Sequence, residues 1–349
     1  MSRSDYFLIY KLPHNMIELL CIVIFNRCFA VVHSHCIRGE DAAMKMYVGV
    51  TDFDWYTTLK SSDCDEVNFW TPGATNFRAI AENDLFLFKL HSPNNYIVGG
   101  GFYVRYSILP TYLAWNAFGL KNGCNSLKEL NARIIKYRSR IGASLENPQI
   151  GCIILTEPFF FDKEDWIPVP ENWSNSIVRG KTYSQDDEYG QRLYKQVIER
   201  LQRKFQTVET QHFDNQNRYS TSTVKHRLGQ GAFRVAVTEA YQKRCAITGE
   251  KTLPVLEAAH IKPYSEDGPH SVANGLLLKS DFHTLFDDGY VTISPDLNIE
   301  VSKRLHEDYG NGKDYYKYHG SKLLILPQNH IDLPSPEFLE WHNNNVYLG

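Results

Sequence analysis

Four side chains between residues 260 and 287 have the types and spacing needed to hydrolyse a phosphodiester bond. A short β-type run, Glu257-Ala-Ala-His260-Ile, carries a histidine near its end, and a polar loop then brings Asn274 before an apolar run. His283 and Asp287 follow, four residues apart, so a helix would present both side chains on one face. The pattern predicts a β-hairpin and a helix that close on one metal ion.

Such hydrolysis needs a base that activates water, a divalent ion that neutralises charge on the phosphate and the leaving oxygen, and a group that orients the base. His260 would be the base, His283 and Asp287 would bind the ion, and Asn274 would orient the imidazole. Taken singly, a histidine in an apolar run is more often a core residue, and a His-x-x-x-Asp pair is often a surface pair. A strand with His260, a loop with Asn274 and a helix with His283, in this order and spacing, favour the catalytic interpretation.

These segments resemble the HNH endonucleases of the ββα-metal type, whose signature is close to Glu-Ala-Ala-His-Ile, Asn-Gly-Leu and His-x-Leu-Phe-Asp. The resemblance spans residues 224–305 and includes the lead-in Arg227-Leu-Gly-Gln-Gly-Ala-Phe-Arg234. It implies that His260 is the general base, that Asn274 orients it or fastens the hairpin, and that His283 binds a metal. One Mg²⁺, Mn²⁺ or Ni²⁺ ion per site is the expected cofactor.

One position departs from the HNH pattern. Many HNH sites place an Asp or His ligand immediately before the base, where this chain has Ala259. Glu257 lies two residues earlier on an alternating strand and could reach the ion. We favour His283 with Asp287 as metal ligands and keep Glu257 as a further candidate.

Cysteine usage argues against a structural zinc in the C-terminal region. Thr248 stands where a second thiol would follow Cys245, and the sequence has no later cysteine, so four-thiolate coordination is not expected. We interpret Cys245 as a buried small apolar residue. The seven cysteines are scattered and odd in number, which favours free thiols in a reducing, cytoplasmic compartment.

Composition indicates a globular protein of more than one domain. The 349 residues are 43% hydrophobic and 22% charged. A formal net charge of −3 argues against a uniformly basic nucleic-acid binder, but residues 225–262 hold seven Lys or Arg against three Glu. Within this local excess, Arg234, Arg244 and Lys262 are the candidates for phosphate contacts.

Residues 1–45 differ from the rest of the chain in their pattern of apolar and charged residues. Its apolar segment at 17–32 is interrupted by charged residues and is too short for a bilayer span, and it lacks a convincing signal-peptide cleavage site. We expect a non-native or disordered extension, with translation starting at Met44 or Met46, and no membrane association.

Residues 46–183 have the pattern of a mixed β domain. Apolar and alternating runs predict strands at 46–51, 84–90, 96–104 and 150–155, and helices at 75–81, 109–118 and 126–138. Residues 184–222 predict an amphipathic helix at 194–204 and then a polar linker. A nuclease domain follows at 223–349.

Four motifs in residues 46–183 resemble EVE domains, which belong to the PUA superfamily of curved β-barrels. They are Val67-Asn-Phe-Trp70-Thr-Pro, Leu87-Phe-Lys-Leu90, Ile97-Val-Gly-Gly-Gly101 and Leu113-Ala-Trp-Asn-Ala-Phe-Gly119. The resemblance implies an α+β protein, with a PUA-like mixed β-barrel and helices before the ββα-metal domain. EVE-like domains are readers of modified bases.

Reading a modified base requires flipping it out of the duplex, which costs a few kcal/mol that stacking and hydrogen bonds must offset. Most aromatic residues of such a domain belong to its core, and Trp115, on a predicted helix, is more typical of packing. Trp70 adjoins a predicted loop and is the strongest pocket candidate. The full set of pocket candidates is Trp70, Asn68, Trp55, Phe102, Tyr103 and Trp115.

The two resemblances together predict a modification-dependent, type IV-like restriction endonuclease that reads 5-methylcytosine or 5-hydroxymethylcytosine in double-stranded DNA. One HNH site cuts one strand, so a double-strand break implies a homodimer or two nicks. Two alternatives stay open. One is an HNH nuclease that cuts unmodified DNA and binds RNA or a partner through its N-terminal domain; the other is a non-catalytic reader, which Ala259 makes conceivable.

Overall fold

A computed structural model of the chain describes residues 44–139, 148–209 and 229–349, with side chains to residue 203 in the second range. Residues 1–43 of the predicted N-terminal extension lie outside these residues, and so does the polar linker at 211–222. In chain order the elements are β1 (Lys45–Thr51), α1 (Phe53–Lys60), β2 (Glu66–Thr71), β3 (Leu85–Leu90), β4 (Tyr96–Pro110), α2 (Thr111–Phe118), α3 (Leu127–Ser139), β5 (Gln149–Phe160), β6 (Ile167–Pro168), β7 (Gly180–Ser184), α4 (Glu188–Glu209), α5 (Gln230–Ala240), β8 (Leu256–His260), β9 (Gly275–Lys279), α6 (Ser280–Asp287), β10 (Val291–Ile293), β11 (Ile299–Val301), α7 (Arg304–Tyr309), α8 (Lys313–Tyr316) and α9 (Pro336–Asn345).

Packing divides the chain into two units. The described parts of Met1–Cys64, Phe77–Tyr103 and Glu157–Ser222 form the first unit, and those of Asp65–Asn76, Val104–Thr156 and Thr223–Gly349 form the second. Segments from the predicted reader region therefore pack with the predicted nuclease region. The boundaries 46–183 and 223–349 stay a prediction about domains.

The first unit is built on a mixed sheet. Strand β1 lies parallel to β3 and antiparallel to β7, and β3 pairs antiparallel with β4, with a register shift at Phe88/Lys89. All six residues of β3 are buried, as expected for a continuous apolar run between two neighbouring strands. Helix α1 buries Trp55 against Phe88, with ring centroids 5.0 Å apart.

In the second unit, β2 pairs antiparallel with β5 from Glu66↔Thr156 to Thr71↔Gly151. Helices α2 and α3 contribute to one apolar cluster with α5. Its buried members are Leu109, Ala114, Phe118, Cys124, Leu130, Ile134, Ile150, Cys152, Ile154, Ala232 and Val235.

The rest of the second unit contains the expected hairpin and helix. Strands β8 and β9 are antiparallel, from Leu256↔Lys279 to His260↔Gly275, and α6 follows directly. A large apolar cluster, with Phe233, Leu277, Phe282 and Leu339 among its buried members, fixes these elements on α5, β10 and α9.

The secondary structure confirms most of the sequence-based assignments. The four predicted strands and the helices at 109–118 and 126–138 are present, and the predicted helix at 194–204 is the middle of the longer α4. The mixed sheet and nine α-helices of the described residues confirm the α+β class. The predicted helix at 75–81 is wrong. The Tyr106 hydroxyl donates to the Thr75 carbonyl at 2.6 Å, and Asn83 has a left-handed φ of 73°, which favours irregular backbone.

A buried carboxylate holds the start of α5. Glu66 of β2 is fully buried and accepts hydrogen bonds from the Gly231 and Ala232 amides, each at 2.8 Å. The Lys121 ammonium lies 3.0 Å from the same carboxylate. Negative charge at a helix N-terminus is favourable because free amides and the helix dipole are both positive there. A Cβ on Gly229 would lie 2.3 Å from the Glu66 carboxyl carbon, which explains the glycine.

We expect Glu66→Ala to destabilise the second unit, because it leaves two buried amides unpaired and removes one partner of Lys121. The expected loss in free energy of unfolding is about 2–4 kcal/mol. Urea denaturation followed by tryptophan fluorescence measures it. Glu188→Ala, which removes an exposed i,i+4 partner of Arg192, is the matched control and should leave the transition unchanged. Equal shifts in both variants would contradict this role for Glu66.

Candidate active site

The hairpin and α6 bring His260, His283 and the two carboxylate candidates to one cleft of about 400 Å³, whose lining does not include Asn274. Glu257 and His260 come from β8, while His283 and Asp287 come from α6. Helix α5 adds Phe233 and Arg234 to the lining, and Tyr264 adds an exposed aromatic ring. The close pairing of β8 with β9 fixes where the β8 side chains stand relative to the helix that follows β9.

His283 lies between two carboxylates. Its Nδ1 is 2.6 Å from Oε2 of Glu257, and its Nε2 is 3.3 Å from Oδ2 of Asp287. The short contact assigns a proton to Nδ1, because a carboxylate oxygen accepts. In the neutral ring, Nε2 is then the nitrogen with a lone pair. Burial raises the pKa of Asp287, an effect that His283 opposes and that Asp288 and Glu257 reinforce.

The donor set suits a divalent cation. Nε2 of His283 and the Asp287 carboxylate could bind the ion side by side, while Glu257 orients the imidazole through Nδ1, a common arrangement for metal-binding histidines. In the described residues, no group of three or more His, Cys, Asp or Glu side chains has metal-holding geometry. Ala259 is fully buried and supplies no ligand. The ligand assignments stay predictions.

His260 is held on two sides. Its ring stacks on Phe233 of α5, with centroids 3.9 Å apart and an interplanar angle of 13°. Its Nε2 lies 2.8 Å from Nδ1 of His270. Burial lowers the pKa of His260 to about 4, with further lowering by His270 and His283. The imidazole is therefore neutral at pH 7, which leaves it able to accept a proton.

The sequence-based reasoning did not include His270. The only indication in the sequence was that the loop between His260 and Asn274 contains another histidine. Whether this histidine contacts His260 depends on how the loop folds back toward β8. Only the tertiary structure shows this, because a separation of ten residues by itself places no side chain against another.

Asn274 fastens the loop that joins the two strands. Fully buried, it accepts from the Lys262 amide and donates to the Lys262 and Pro269 carbonyls, each at 2.9 Å. Of the two roles considered for Asn274, these contacts support the fastener. A buried amide that satisfies three backbone groups fixes the loop, because each unpaired group would be costly.

The three phosphate candidates occupy different surroundings. Arg234 lines the cleft and donates to the Asn116 carbonyl at 3.3 Å. The Lys262 ammonium lies 5.6 Å from the centroid of the Trp341 ring. Arg244 donates to the Gly249 carbonyl at 3.5 Å, in the turn after α5. Arg234 is therefore the candidate at the cleft.

The candidates for a base pocket are mainly packing residues in the structure. Asn68 is fully buried and donates to Oδ1 of Asn122 at 2.9 Å, while Trp70 donates to the Asn122 carbonyl at 3.0 Å. Trp115 is half-buried against the α2–α3 cluster. In the first unit, the buried candidates are Trp55, Phe102 and Tyr103. The pocket assignment stays a prediction.

Cys245 is a fully buried member of the C-terminal core, and its sulfur accepts a hydrogen bond from the Thr248 amide at 3.5 Å. This placement confirms its interpretation as a small core residue. Across residues 44–139, 148–209 and 229–349, none of the helices has the length and hydrophobicity to cross a bilayer.

Comparison with known proteins supports the reading of the C-terminal region. The family model HNH_2, described as HNH endonuclease, matches residues 245–294. This segment contains β8, β9 and α6, so the HNH resemblance is confirmed there. It identifies a nuclease segment, and HNH nucleases generally use a divalent ion. No curated protein matches the chain.

Two solved structures are similar at low identity. The ASCH protein from Zymomonas mobilis is 11% identical, with 43% of this chain and 94% of that chain covered at a TM-score of 0.28. The modification-dependent TagI restriction endonuclease is 12% identical, with 85% of this chain and 81% of that chain covered at a TM-score of 0.27.

A second buried histidine predicts acid sensitivity. His342 of α9 donates from Nε2 to the Phe286 carbonyl at 3.0 Å, so its neutral ring accepts from the Thr292 hydroxyl at Nδ1, 2.8 Å away. Burial lowers its pKa from an ordinary 6.5 to about 4, despite the opposing bond to Phe286. Between these values the unfolded chain binds the extra proton, so stability falls as pH falls.

Each such proton costs up to about 1.4 kcal/mol of unfolding free energy per pH unit. We therefore expect wild type to lose more stability than His342→Gln between pH 6.5 and pH 4.5, measured by urea denaturation in chelator. His306→Ala, which alters an exposed histidine, should follow wild type. Parallel losses in wild type and His342→Gln would show that His342 is not a source of the acid sensitivity.

Proposed function

We propose that this protein is a modification-dependent DNA endonuclease that reads 5-methylcytosine or 5-hydroxymethylcytosine and cuts with its HNH segment. The observation that carries the nuclease part is the placement of a neutral, immobilised His260 in the same cleft as the His283/Asp287 pair. A base and a candidate cation site in one cleft are the two components that phosphodiester hydrolysis needs.

Each of the cleft residues can be given one role in phosphodiester hydrolysis. With Nε2 engaged by His270, Nδ1 of His260 would take a proton from water as the water oxygen bonds to phosphorus and the bond to the 3′ oxygen breaks. Arg234 would pair with the phosphate. A divalent ion, Mg²⁺, Mn²⁺ or Ni²⁺, would supply positive charge beside the phosphate and the departing oxygen if held by His283 and Asp287.

The reading part of the proposal rests on the EVE-like motifs of residues 46–183. In the segment proposed to bind the flipped base, the half-buried Trp70 is the foremost candidate for stacking, since Asn68 is fully buried and hydrogen-bonded to Asn122. Because one HNH site cuts one strand, a double-strand break requires a homodimer or two successive nicks. The substrate would be double-stranded DNA that contains the modified cytosine.

Cleavage of matched DNAs tests the function. Duplexes with cytosine, 5-methylcytosine or 5-hydroxymethylcytosine are incubated with the protein and Mg²⁺, Mn²⁺ or Ni²⁺, and products are resolved on denaturing gels. We expect cleavage of modified DNA only. His260→Ala should slow it by about 10²- to 10⁴-fold, the usual contribution of a general base.

His306→Ala is the matched control, because it removes an exposed histidine outside the cleft lining. Equal cleavage of all three DNAs would keep the nuclease and reject the base reader. Binding of modified DNA without cleavage under any metal would instead indicate a non-catalytic reader. Full activity of His260→Ala would reject the assigned base.

A further inference from the structure

The loop that Asn274 fastens carries a side chain aimed at the ring of His260. His270 Nδ1 lies 2.8 Å from His260 Nε2, a hydrogen-bond distance between two ring nitrogens. One nitrogen must donate and the other must accept. The contact therefore couples the tautomers of the two rings.

His270 is itself held in a defined orientation. Its ring stacks on Tyr264, with centroids 4.9 Å apart and an interplanar angle of 10°, and its centroid is 5.7 Å from that of Phe233. The residue before it, Pro269, has its carbonyl bound by the Asn274 amide. Stacking and the loop bond together restrict the rotation of His270.

The proton assignment follows from what His260 has to do. A base that uses Nδ1 must carry its own proton on Nε2, and Nδ1 of a neutral His270 is then the acceptor. The contact thus favours the reactive tautomer of His260, with the proton on Nε2 and the lone pair on Nδ1.

We propose that His270 is the positioning residue of the general base: it accepts the Nε2–H of His260, fixes the ring orientation and keeps Nδ1 as the nitrogen that receives the proton from water. The inference rests on the proposed nuclease function and deepens it. The orienting role that the sequence suggested for Asn274 falls to His270, while Asn274 holds the loop.

Two substitutions separate the hydrogen bond from the packing. His270→Phe keeps a ring beside Tyr264 but removes the acceptor. His270→Asn loses the ring but can place an amide oxygen where Nδ1 stood. If the acceptor matters, His270→Phe lowers kcat by about 10- to 100-fold with KM unchanged, a loss typical of groups that orient a catalytic side chain. His270→Asn should recover most of that loss.

The tautomer gives a readout that does not depend on cleavage. In full-length protein labelled with ¹⁵N-histidine, the His260 resonances are assigned by their loss in His260→Ala, and their ¹⁵N shifts report which nitrogen carries the proton. We expect the Nε2–H form in wild type and His270→Asn, and a mixture of tautomers in His270→Phe.

Equal kcat losses in both variants, or a loss confined to KM, would overturn the proposal, as would an Nδ1–H tautomer in wild type. If wild type cut no DNA at all, the proposed function would fail, and the tautomer measurement would still decide whether His270 positions His260. Thermal unfolding of each variant shows whether it is folded. If His270→Phe is misfolded, the ¹⁵N spectra of wild type and His270→Asn decide whether His270 sets the tautomer of His260.

Discussion

The buried carboxylate of Glu66 is the interaction on which the arrangement of the second unit depends. It binds the first amides of α5, and the Lys121 ammonium beside it partly compensates the charge that burial would otherwise penalise. Helix α5 then supplies Phe233, whose ring supports the imidazole of His260. A strand from the predicted reader region therefore fixes the helix that supports His260, the proposed base.

The same packing gives the nuclease segment a larger framework than its motif suggests. The matched residues 245–294 contain the hairpin and α6, but α5 precedes them and α2 and α3 pack on α5. A Cβ on Gly231 would lie 2.6 Å from the Ala117 carbonyl oxygen, so the glycine permits this close approach of α5 to α2. The Gly229-Gln-Gly231 run at the start of α5 thus reflects two separate packing constraints.

The two cleft histidines, His260 on β8 and His283 on α6, have different electrostatic surroundings. His283 is flanked by Glu257 and Asp287, which favour a proton on Nδ1 and leave Nε2 beside a carboxylate. His260 stacks on Phe233 and contacts another imidazole, and burial keeps it neutral. Carboxylates near an imidazole suit cation binding, whereas burial disfavours the imidazolium form and so leaves the ring of His260 unprotonated, with a free lone pair.

The sequence alone determined many of the elements and the nuclease class of the C-terminal segment. Alternation and apolar runs identified four strands between residues 46 and 155 but not β2, and the spacing of His260, Asn274, His283 and Asp287 predicted a hairpin and helix with nuclease chemistry. Those features depend on near neighbours in the chain. The sequence-based prediction failed at 75–81, where a bond to the Thr75 carbonyl replaces a helical one. It also could not reveal Glu66 beneath α5 or His270 beside His260. Those contacts join residues that are distant or loop-separated, and only tertiary packing decides which of them meet.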